Sequence, residues 1–316
     1  MNSCLIVGAG MAGLTAAEWL TRHGWKVVIV DKGRGLGGRM ATRRIGGSRF
    51  DHGAQFFTVR DSSFAAVVAA WQAAGLVQPW FEEGGHVRFR TGGGMSQLAR
   101  HLAGPFDVRT GVRLESVSPS GSGWLAVSDS GERFEAPAVL ITAPPAQALE
   151  LLSGCRHRLA PDLVRELESV DFDPCFAAMA VLAGPSAVPA PGWVRPAAGP
   201  VEWLADNTAK GISTGPGAVT IHAGGAFSRE HFDAAPDHVL RQLLAAAEPW
   251  LGSPVVTSQL HRWKFAKPVA GTRPSCLFTA TPAPLAFAGD GLSGGRVEGA
   301  FLSGRAAAET LRIKAS

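Results

Sequence analysis

CLIVGAGMAGLTAAEWLTRHGWKVVIVD, residues 4–31, places a complete G-x-G-x-x-G between an apolar run and a helical pattern. Both the first apolar run and a second one, which ends on Asp31, are typical of buried parallel strands. Gly8 permits the tight turn, Gly10 lets the backbone approach a pyrophosphate, and Gly13 lets the helix pack on the strand. Asp31 stands where an acidic side chain accepts hydrogen bonds from a ribose. The stretch therefore predicts a dinucleotide-binding βαβ unit.

Composition limits the classes of protein to which the chain can belong. The 316 residues are 46% hydrophobic and 18% charged, which indicates a globular protein of about two domains. Its net charge of +4 comes from scattered basic residues, which does not favour a nucleic-acid partner. Since no stretch reaches 18 apolar residues, we expect no membrane span. The four cysteines lack metal-ligand spacing, so we expect no metal site.

The position of the first strand bears on localisation. This strand starts at about residue 4, which leaves no room for a signal peptide before it. We therefore expect a cytoplasmic protein.

A change of pattern near residue 160 predicts two domains. Beyond it, strand-like segments follow one another around helices predicted at 161–168 and 236–251, which suggests an antiparallel sheet. The predicted fold class is α/β, with a Rossmann-type nucleotide-binding domain and a second α+β substrate domain built on that sheet. We assign residues 1–78, 92–155 and 277–316 to the first domain, and residues 79–91 and 156–276 to the second. Residues 80–90 are interpreted as one strand.

The pattern G-x-G-x-x-G occurs a second time, at residues 289–294. Here Asp290 lies inside the loop, where its charge would repel a phosphate but could accept hydrogen bonds from sugar-alcohol hydroxyls. We therefore expect one dinucleotide loop, not two.

Several segments together resemble the FAD-binding amine oxidase superfamily. They are GAGMAG at 8–13 with Asp31, GGR at 37–39, DHGAQFF at 51–57, Gly289-Asp290, VEGA at 297–300 and Ser303-Gly304. Within the superfamily the chain most resembles the renalase group, particularly its short bacterial members. That narrower likeness rests on DHGAQFF, WLADNTAK at 203–210, Ile221-His222 and HRWKFAKP at 261–268. The resemblance covers essentially the whole chain.

The resemblance implies a set of FAD-binding residues. The glycine loop would hold the pyrophosphate, Asp31 the adenosine ribose, and Arg39 would reach toward the phosphates. Gly53, Ala54 and Gln55 would lie against the isoalloxazine, and the helix starting near Val297 would point its N-terminus at the pyrimidine ring. The implied set is Gly8, Gly10, Met11, Ala12, Gly13, Asp31, Lys32, Gly38, Arg39, Gly53, Ala54, Gln55, Phe56, Leu114, Asp290, Arg296, Val297, Glu298 and Ala300. Since Cys276 does not occur in a covalent-attachment motif, the FAD is expected to be non-covalent.

The resemblance also implies an activity. Renalase-like enzymes take hydride from the 2- and 6-dihydro isomers of NAD(P) and pass the electrons to O2, which gives NAD(P)+ and hydrogen peroxide. Candidate substrate-side residues are Asn207, Lys210, His222, Trp263 and Lys264. Each has a structural alternative: a turn for Asn207, a hydrogen-bonded strand histidine for His222, a core or pocket-wall position for Trp263, and solvated surface positions for the lysines.

Two other functions stay open. Amine substrates in this superfamily are typically flanked by paired aromatic residues, commonly tyrosines, and this chain contains no tyrosine. The first alternative is an FAD-dependent oxidoreductase of an amine or of a hydrophobic C–H donor. The second is a non-catalytic FAD-binding protein.

Overall fold

The computed structural model describes residues 2–269 and 274–315, which fall into two compact units. Unit 1 comprises the described residues up to Gly38, Ala99–Asp171, and those from Pro268 onward. Unit 2 comprises Arg39–Leu98 and Phe172–Lys267. Each unit is therefore assembled from separate stretches of the chain.

The described residues contain the following strands and helices. The strands are β1 (Ser3–Val7), β2 (Lys26–Asp31), β3 (Thr42–Ile45), β4 (Ser48–Asp51), β5 (Gln78–Glu83), β6 (His86–Arg90), β7 (Asp107–Thr110), β8 (Leu114–Ser120), β9 (Gly123–Ser128), β10 (Arg133–Ala136), β11 (Ala138–Ile141), β12 (Phe172–Leu182), β13 (Trp193–Val194), β14 (Val201–Asp206), β15 (Ala218–Ala223), β16 (Val255–Pro268), β17 (Leu277–Thr279) and β18 (Leu285–Phe287). The α-helices are α1 (Met11–Arg22), α2 (Ser62–Ala73), α3 (Ser96–Ala103), α4 (Pro145–Leu151), α5 (Pro161–Glu168), α6 (Gly225–Glu230), α7 (Pro236–Leu251) and α8 (Arg296–Lys314).

Unit 1 is built on a six-stranded sheet with the order β17-β18-β11-β1-β2-β7. Strand β1 pairs in parallel with β2 on one side and β11 on the other, and only the edge strand β17 joins its neighbour in antiparallel fashion. The apolar residues of β1 are buried, as expected for a central parallel strand. A separate antiparallel sheet, β10-β9-β8, belongs to the same unit.

Unit 2 is built on a five-stranded sheet with the order β13-β14-β15-β12-β16. Helix α7 buries Val239, Leu243 and Ala247 against apolar side chains of this sheet. The helix begins with Pro236 at its first position and ends before Gly252, whose φ of +67° provides the left-handed residue that terminates many helices. Two hairpins, β3–β4 and β5–β6, complete the unit.

The predicted fold class is confirmed by the parallel sheet and the separate antiparallel sheets. The helices predicted at 161–168 and 236–251 have those bounds in the structure. The single strand predicted at residues 80–90 is wrong, since the segment is the β5–β6 hairpin. Gly84 and Gly85 have φ values of +60° and +73°, which suit the two turn residues of a tight hairpin. They therefore end β5 and reverse the direction of the chain before β6.

The structural units divide the chain differently from the predicted domain boundaries. Residues 39–78 and 92–98 belong to unit 2, where the end of β4 is hydrogen-bonded to the segment that follows β14. Residues 156–171 belong to unit 1, where α5 packs on α4 and β17. These contacts join segments that are distant in sequence, so the change of pattern near residue 160 does not coincide with a unit boundary.

Candidate functional site

The G-x-G-x-x-G loop of unit 1 connects β1 to α1. Gly8 has a φ of +113°, and its N–H donates to the carbonyl oxygen of Val30 over 2.8 Å. A Cβ on Gly13 would collide with the Gly8 carbonyl oxygen, so the helix could not begin this close to the strand with a larger residue. Gly10 is the N-cap and has no side chain to occupy the first turn of α1. Met11 and Ala12 are buried in that turn, whose N–H groups are the donors that can hold a phosphate.

Asp31, at the end of β2, organises this loop. Its Oδ2 accepts from the Ala9 N–H over 2.7 Å, and its Oδ1 accepts from the Gly33 N–H over 2.6 Å. An ionised carboxylate offers about four acceptor sites, so these two bonds leave capacity for ribose hydroxyls. The following Lys32 is exposed and donates to Gln147 over 3.0 Å.

The glycine-rich segment after Asp31 lies against the dinucleotide loop. The N–H of Gly37 donates to the carbonyl oxygen of Ala9 over 3.0 Å. A Cβ on Gly38 would lie 3.8 Å from the Cα of Gly10. The two glycine loops of unit 1 therefore form one surface of main-chain atoms.

The second G-x-G-x-x-G begins a different structure. Asp290 is buried and starts a short 3-10 helix, and its carbonyl oxygen accepts from Ser293 and Gly295. Gly294, Gly295 and the exposed Arg296 have φ values of +69°, +82° and +71°, so three left-handed residues in succession lead into α8.

Helix α8 carries the remaining predicted cofactor residues of this unit. Val297 and Glu298 are buried in its first turn and Ala300 is half-buried. A Cβ on Gly304 would collide with the Ala12 carbonyl oxygen, so α8 packs tightly against α1. Leu114 is buried at the start of β8.

A buried carboxylate, Asp51, is the central polar group of unit 2. Its Oδ2 accepts from Lys210 Nζ over 2.7 Å, and both side chains are almost fully buried, with 1% and 0% exposed. Its Oδ1 accepts from Thr42 Oγ1 and from the Met95 N–H. Burial lowers the pKa of Lys210, and the Asp51 carboxylate partly offsets this. Lys210, which was considered as a substrate contact or a solvated lysine, thus has a carboxylate partner within the protein.

Asn207 belongs to the same network. Its Oδ1 accepts from the Asp51 N–H over 3.2 Å, and its Nδ2 donates to the Ala218 carbonyl and to Thr220 Oγ1. The residue is fully buried, and its side chain joins the end of β4 to β15. The Asn207 side chain is therefore bonded within the protein, in addition to the turn that was considered for this residue.

The segment after Asp51 is held tightly by the backbone of Arg39. The Ala54 N–H donates to the Arg39 carbonyl oxygen over 2.7 Å, and a Cβ on Gly53 would collide with that oxygen. The Arg39 guanidinium lies 5.4 Å from the ring centroid of Phe172. Gln55 donates to the Asp51 carbonyl through Nε2, while its buried Oε1 has no hydrogen-bond partner.

Three histidines and a tryptophan lie together in unit 2; we call His52, His222, His261 and Trp263 the histidine–tryptophan cluster. The His52 ring is 5.3 Å from that of Trp263 and 4.8 Å from that of His261. The His52 carbonyl accepts from Trp263 Nε1 over 2.7 Å and bonds His222 Nε2 over 3.2 Å. Because a carbonyl oxygen can only accept, His222 carries its proton on Nε2.

Burial keeps the imidazoles of this cluster neutral at pH 7. Burial lowers the pKa of His52 to about 3, helped by the positive charge that His261 would carry. Burial also lowers the pKa of His222 and of His261 to about 4. The Nδ1 atom of His52 is buried and has no hydrogen-bond partner. The cluster therefore presents neutral rings and an unused hydrogen-bonding atom.

Two further predicted residues of unit 2 are Lys264, on the substrate side, and Phe56, in the cofactor set. Lys264 is exposed, and its Nζ lies 5.4 Å from the Phe265 ring centroid. Phe56 packs against Trp80, Phe81 and Trp203, with ring centroids 5.5 to 6.4 Å apart. The structure thus brings His222 and Trp263 together and places Lys264 at the surface.

Asp51, His52 and His261 were not among the predicted site residues. All three lie in DHGAQFF and HRWKFAKP, two of the segments that carry the resemblance, so the sequence already drew attention to these segments. What the sequence did not reveal is that their partners lie on β15, β16 and the segment after β14. Among residues 2–269 and 274–315, no group of three or more histidine, cysteine, aspartate or glutamate side chains could hold a metal ion.

Two family models match this chain. A family model described as "NAD(P)-binding Rossmann-like domain" matches residues 6–74, and one described as "Flavin containing amine oxidoreductase" matches residues 73–312. The chain belongs to the flavin-containing amine oxidoreductase family. FAD is accordingly its cofactor. The main-chain donors of residues 8–13 and the remaining acceptor capacity of Asp31 fit a bound FAD.

Solved structures of similar fold are oxidases. A putative protoporphyrinogen oxidase from Exiguobacterium sp. 255-15 has a TM-score of 0.75 at 13% identity, with 99% of both chains covered. Wild-type putrescine oxidase bound to putrescine has a TM-score of 0.70 at 15% identity, and cyclohexylamine oxidase from Brevibacterium oxydans IH-35A has 0.68 at 15%; each comparison covers 99% of both chains. At these identities the likeness shows the fold alone.

Curated relatives match over short segments. A 1-hydroxycarotenoid 3,4-desaturase from Flavobacterium sp. (strain P99-3) is 39% identical over 59 residues, which is 19% of this chain and 12% of that protein. Hydroxyneurosporene desaturase from Rubrivivax gelatinosus is 40% identical over 78 residues, 24% of this chain and 15% of that protein. In the described part of the chain, no helix combines the length and apolar character that a membrane crossing requires.

Proposed function

We propose that this flavoprotein oxidises the 2- and 6-dihydro isomers of NAD(P) and passes the electrons to O2, which yields NAD(P)+ and hydrogen peroxide. The observation that carries the proposal is the neutral histidine–tryptophan cluster of unit 2. Hydride transfer from a dihydronicotinamide restores an aromatic ring and needs little acid–base assistance, so positioning is the main requirement. Neutral imidazoles and an indole suit a flat, uncharged carboxamide-bearing ring.

The residues that the family resemblance assigns to FAD would hold it in this reaction. FAD, when bound, supplies the hydride acceptor and the route for electrons to O2. The residue 8–13 loop would bind its pyrophosphate, Asp31 its adenosine ribose and Arg39 its phosphates. Residues 53–55 would lie against the ring system, where Gly53 permits a close approach. Leu114 would contact the adenine, Asp290 the ribitol or pyrophosphate, and the first turn of α8 the pyrimidine ring.

The substrate-side roles follow from the cluster's geometry. Trp263 and the His52 ring beside it would form a wall for the nicotinamide. The buried Nδ1 of His52 would take one hydrogen bond from the substrate, since it has none within the protein. The lowered pKa values of the three histidines keep positive charge away from the nicotinamidium product.

The cofactor link has its own test. We propose that the FAD is non-covalent, because Cys276 is outside any covalent-attachment motif and its thiol lies near Thr310 of the same unit. Acid precipitation of the yellow holoprotein is expected to leave FAD in the supernatant. Flavin that remains with the precipitate would contradict this proposal.

The proposed activity is tested by aerobic turnover. Borohydride-treated NAD+, which contains the 2-, 4- and 6-dihydro isomers, is mixed with the holoprotein while oxygen, hydrogen peroxide and each isomer are followed. The 2- and 6-isomers are expected to disappear with one hydrogen peroxide per NAD+ formed, while the 4-isomer persists. Consumption of amines but not of these isomers would instead support an amine oxidase. Failure of every donor to reduce the flavin would support a non-catalytic flavoprotein.

A further inference from the structure

Arg90, on β6 of unit 2, is a half-buried cation with unused hydrogen-bond donors. Its Nε and Nη1 atoms are buried and have no hydrogen-bond partner. Burial lowers the pKa of the Arg90 guanidinium, and no carboxylate among the described residues raises it again. Buried charged donors without partners cost free energy of folding. We therefore interpret these N–H groups as donors to a bound ligand.

The surroundings of Arg90 carry excess positive charge. The charge of Arg90 lowers the pKa of Lys210, which places the two cations close together. Lys210 already has Asp51 as its partner, so that carboxylate is not left for Arg90. A Cβ on Gly211 would lie 3.3 and 3.4 Å from Nη2 and Nη1 of Arg90, so the guanidinium lies close to the Gly211 backbone.

Arg88 supplies a second guanidinium on the same face of β6, since strand side chains alternate. Its Nη2 donates to Glu83 over 2.9 Å and its Nη1 to the His86 carbonyl over 3.0 Å. Its Nε is buried and has no hydrogen-bond partner. Together the two arginines present three unpartnered nitrogen atoms, which carry four N–H groups, and a net positive charge.

Aromatic rings adjoin these arginines. The Arg88 guanidinium lies 5.4 Å from the ring centroid of Phe56 and 6.0 Å from that of Phe81. Trp80 lies over Lys210 Nζ at 4.9 Å, and its Nε1 donates to the Pro191 carbonyl, which fixes the ring. Guanidinium donors beside aromatic planes are the elements with which proteins bind nucleotide phosphates and bases.

The arginines and the histidine–tryptophan cluster border the same sheet face. Trp203 on β14 is paired directly with His222 on β15, and paired residues of an antiparallel ladder point to the same side. The Trp203 ring is 5.5 Å from Phe56, which in turn lies beside Arg88. The rings of Trp203 and Phe56 therefore connect the cluster to Arg88 within unit 2.

We propose that Arg90, together with Arg88, binds the pyrophosphate of the substrate dinucleotide. This rests on the proposed function, which it deepens by giving the phosphates a site in unit 2. The planar fork of Arg90 offers two parallel donors to one phosphate, and Trp80 offers a stacking surface beside it. A cationic amine would be repelled by the same unpaired charge.

Binding of ADP-ribose, which has the pyrophosphate but no nicotinamide, tests this site directly. Isothermal titration of the FAD-loaded protein is expected to show binding that Arg90→Gln weakens at least about tenfold. Arg90→Lys should give an intermediate affinity, because it keeps the charge and loses the fork. Arg241→Gln, an equal change of charge at an exposed position on α7, should match the wild type. An Arg90→Gln protein with wild-type affinity, or a wild type that does not bind ADP-ribose at millimolar concentration, would overturn the proposal.

Two further measurements separate this proposal from folding effects and from the proposed function. Arg90→Gln should retain its FAD and unfold at or above the wild-type temperature, since it removes an unpaired buried charge. With 6-dihydro-NAD its KM should rise at least about tenfold, while 6-dihydronicotinamide riboside, which lacks phosphates, should react as with the wild type. An equal loss with both substrates would contradict a phosphate role. If neither substrate reduces the flavin, the proposed function fails while the ADP-ribose result still decides the site.

Discussion

The nucleotide loop of unit 1 and the polar centre of unit 2 are built by opposite means. In unit 1 the binding groups are main-chain N–H groups, and one carboxylate, Asp31, fixes the loop by accepting from Ala9, which is only 22 residues away. In unit 2 the groups are side chains, and Asp51 meets Lys210, which is 159 residues away. The first arrangement depends on short-range spacing and on the absence of Cβ atoms. The second depends on burial and on the pairing of distant strands, so damage there should affect folding as well as binding.

The largest effect should follow the loss of the buried ion pair. Lys210→Met leaves the Asp51 carboxylate buried without its counter-charge, and we expect a loss of about 3–5 kcal/mol in the free energy of unfolding. Urea denaturation of the holoprotein measures it. Restoring neutrality with Asp51→Asn in the same chain should recover part of the loss, because no unpaired charge then remains.

A surface pair provides the matched control for that experiment. Lys267 and Glu202 also lie within 4 Å, but their side chains are 71% and 49% exposed. Lys267→Met should therefore change the unfolding free energy by no more than about 1 kcal/mol. Similar losses for Lys210→Met and Lys267→Met would show that burial does not distinguish the two pairs.

A smaller, local effect is expected in unit 1. Asp31→Ala removes the charge-assisted bonds to the ribose and should weaken FAD binding by about 1.5–3 kcal/mol, tens- to hundredfold in affinity. Fluorescence titration of the apoprotein with FAD gives the dissociation constant. Glu309→Ala, an exposed acid on α8, serves as the control and should bind FAD normally. An unchanged constant for Asp31→Ala would mean that Asp31 only shapes the loop.

A separate, pH-dependent effect concerns the histidine–tryptophan cluster. The histidines have lowered pKa values in the folded protein, about 3 for His52 and about 4 for His222 and His261. Below about pH 6.5 the unfolded chain therefore binds more protons than the folded one, and stability falls as pH decreases toward 4. For the more deeply buried His52 and His222, each ring lowers the free energy of unfolding by up to about 1.4 kcal/mol per pH unit in that window. Above pH 6.5 the histidines are neutral in both states and cause no such loss.

The pH effect can be assigned to the cluster by substitution. His52→Phe keeps an aromatic ring beside Trp263 but cannot titrate, so its unfolding free energy should fall less steeply between pH 6.5 and 4. His238→Gln, at an exposed position on α7, should leave the wild-type slope unchanged. Equal slopes for the wild type and His52→Phe would contradict a buried, neutral His52.

These differences explain which parts the sequence could predict. The strand–loop–helix–strand arrangement of residues 4–31, the fold class and helices α5 and α7 follow from local spacing and periodicity, and the structure confirms them. The β5–β6 turn was missed although Gly84-Gly85, a dipeptide typical of two-residue hairpin turns, stands in the middle of the segment. The Asp51–Lys210 pair and the unpartnered Arg90 could not be predicted, because burial and the lack of a partner are properties of the assembled unit.

Anaerobic stopped-flow reduction of the flavin tests the central claim most directly. The 6-dihydro isomers of NAD and NADP are each compared with the normal 4-dihydro forms and with a simple amine, while flavin absorbance is followed. A misplacement of about 1 Å in hydride transfer can cost on the order of a hundredfold in rate, so the 6-isomers should reduce the flavin at least about a hundredfold faster than the 4-isomers. Equal rates with the 4- and 6-isomers, or fast reduction only by the amine, would contradict the account.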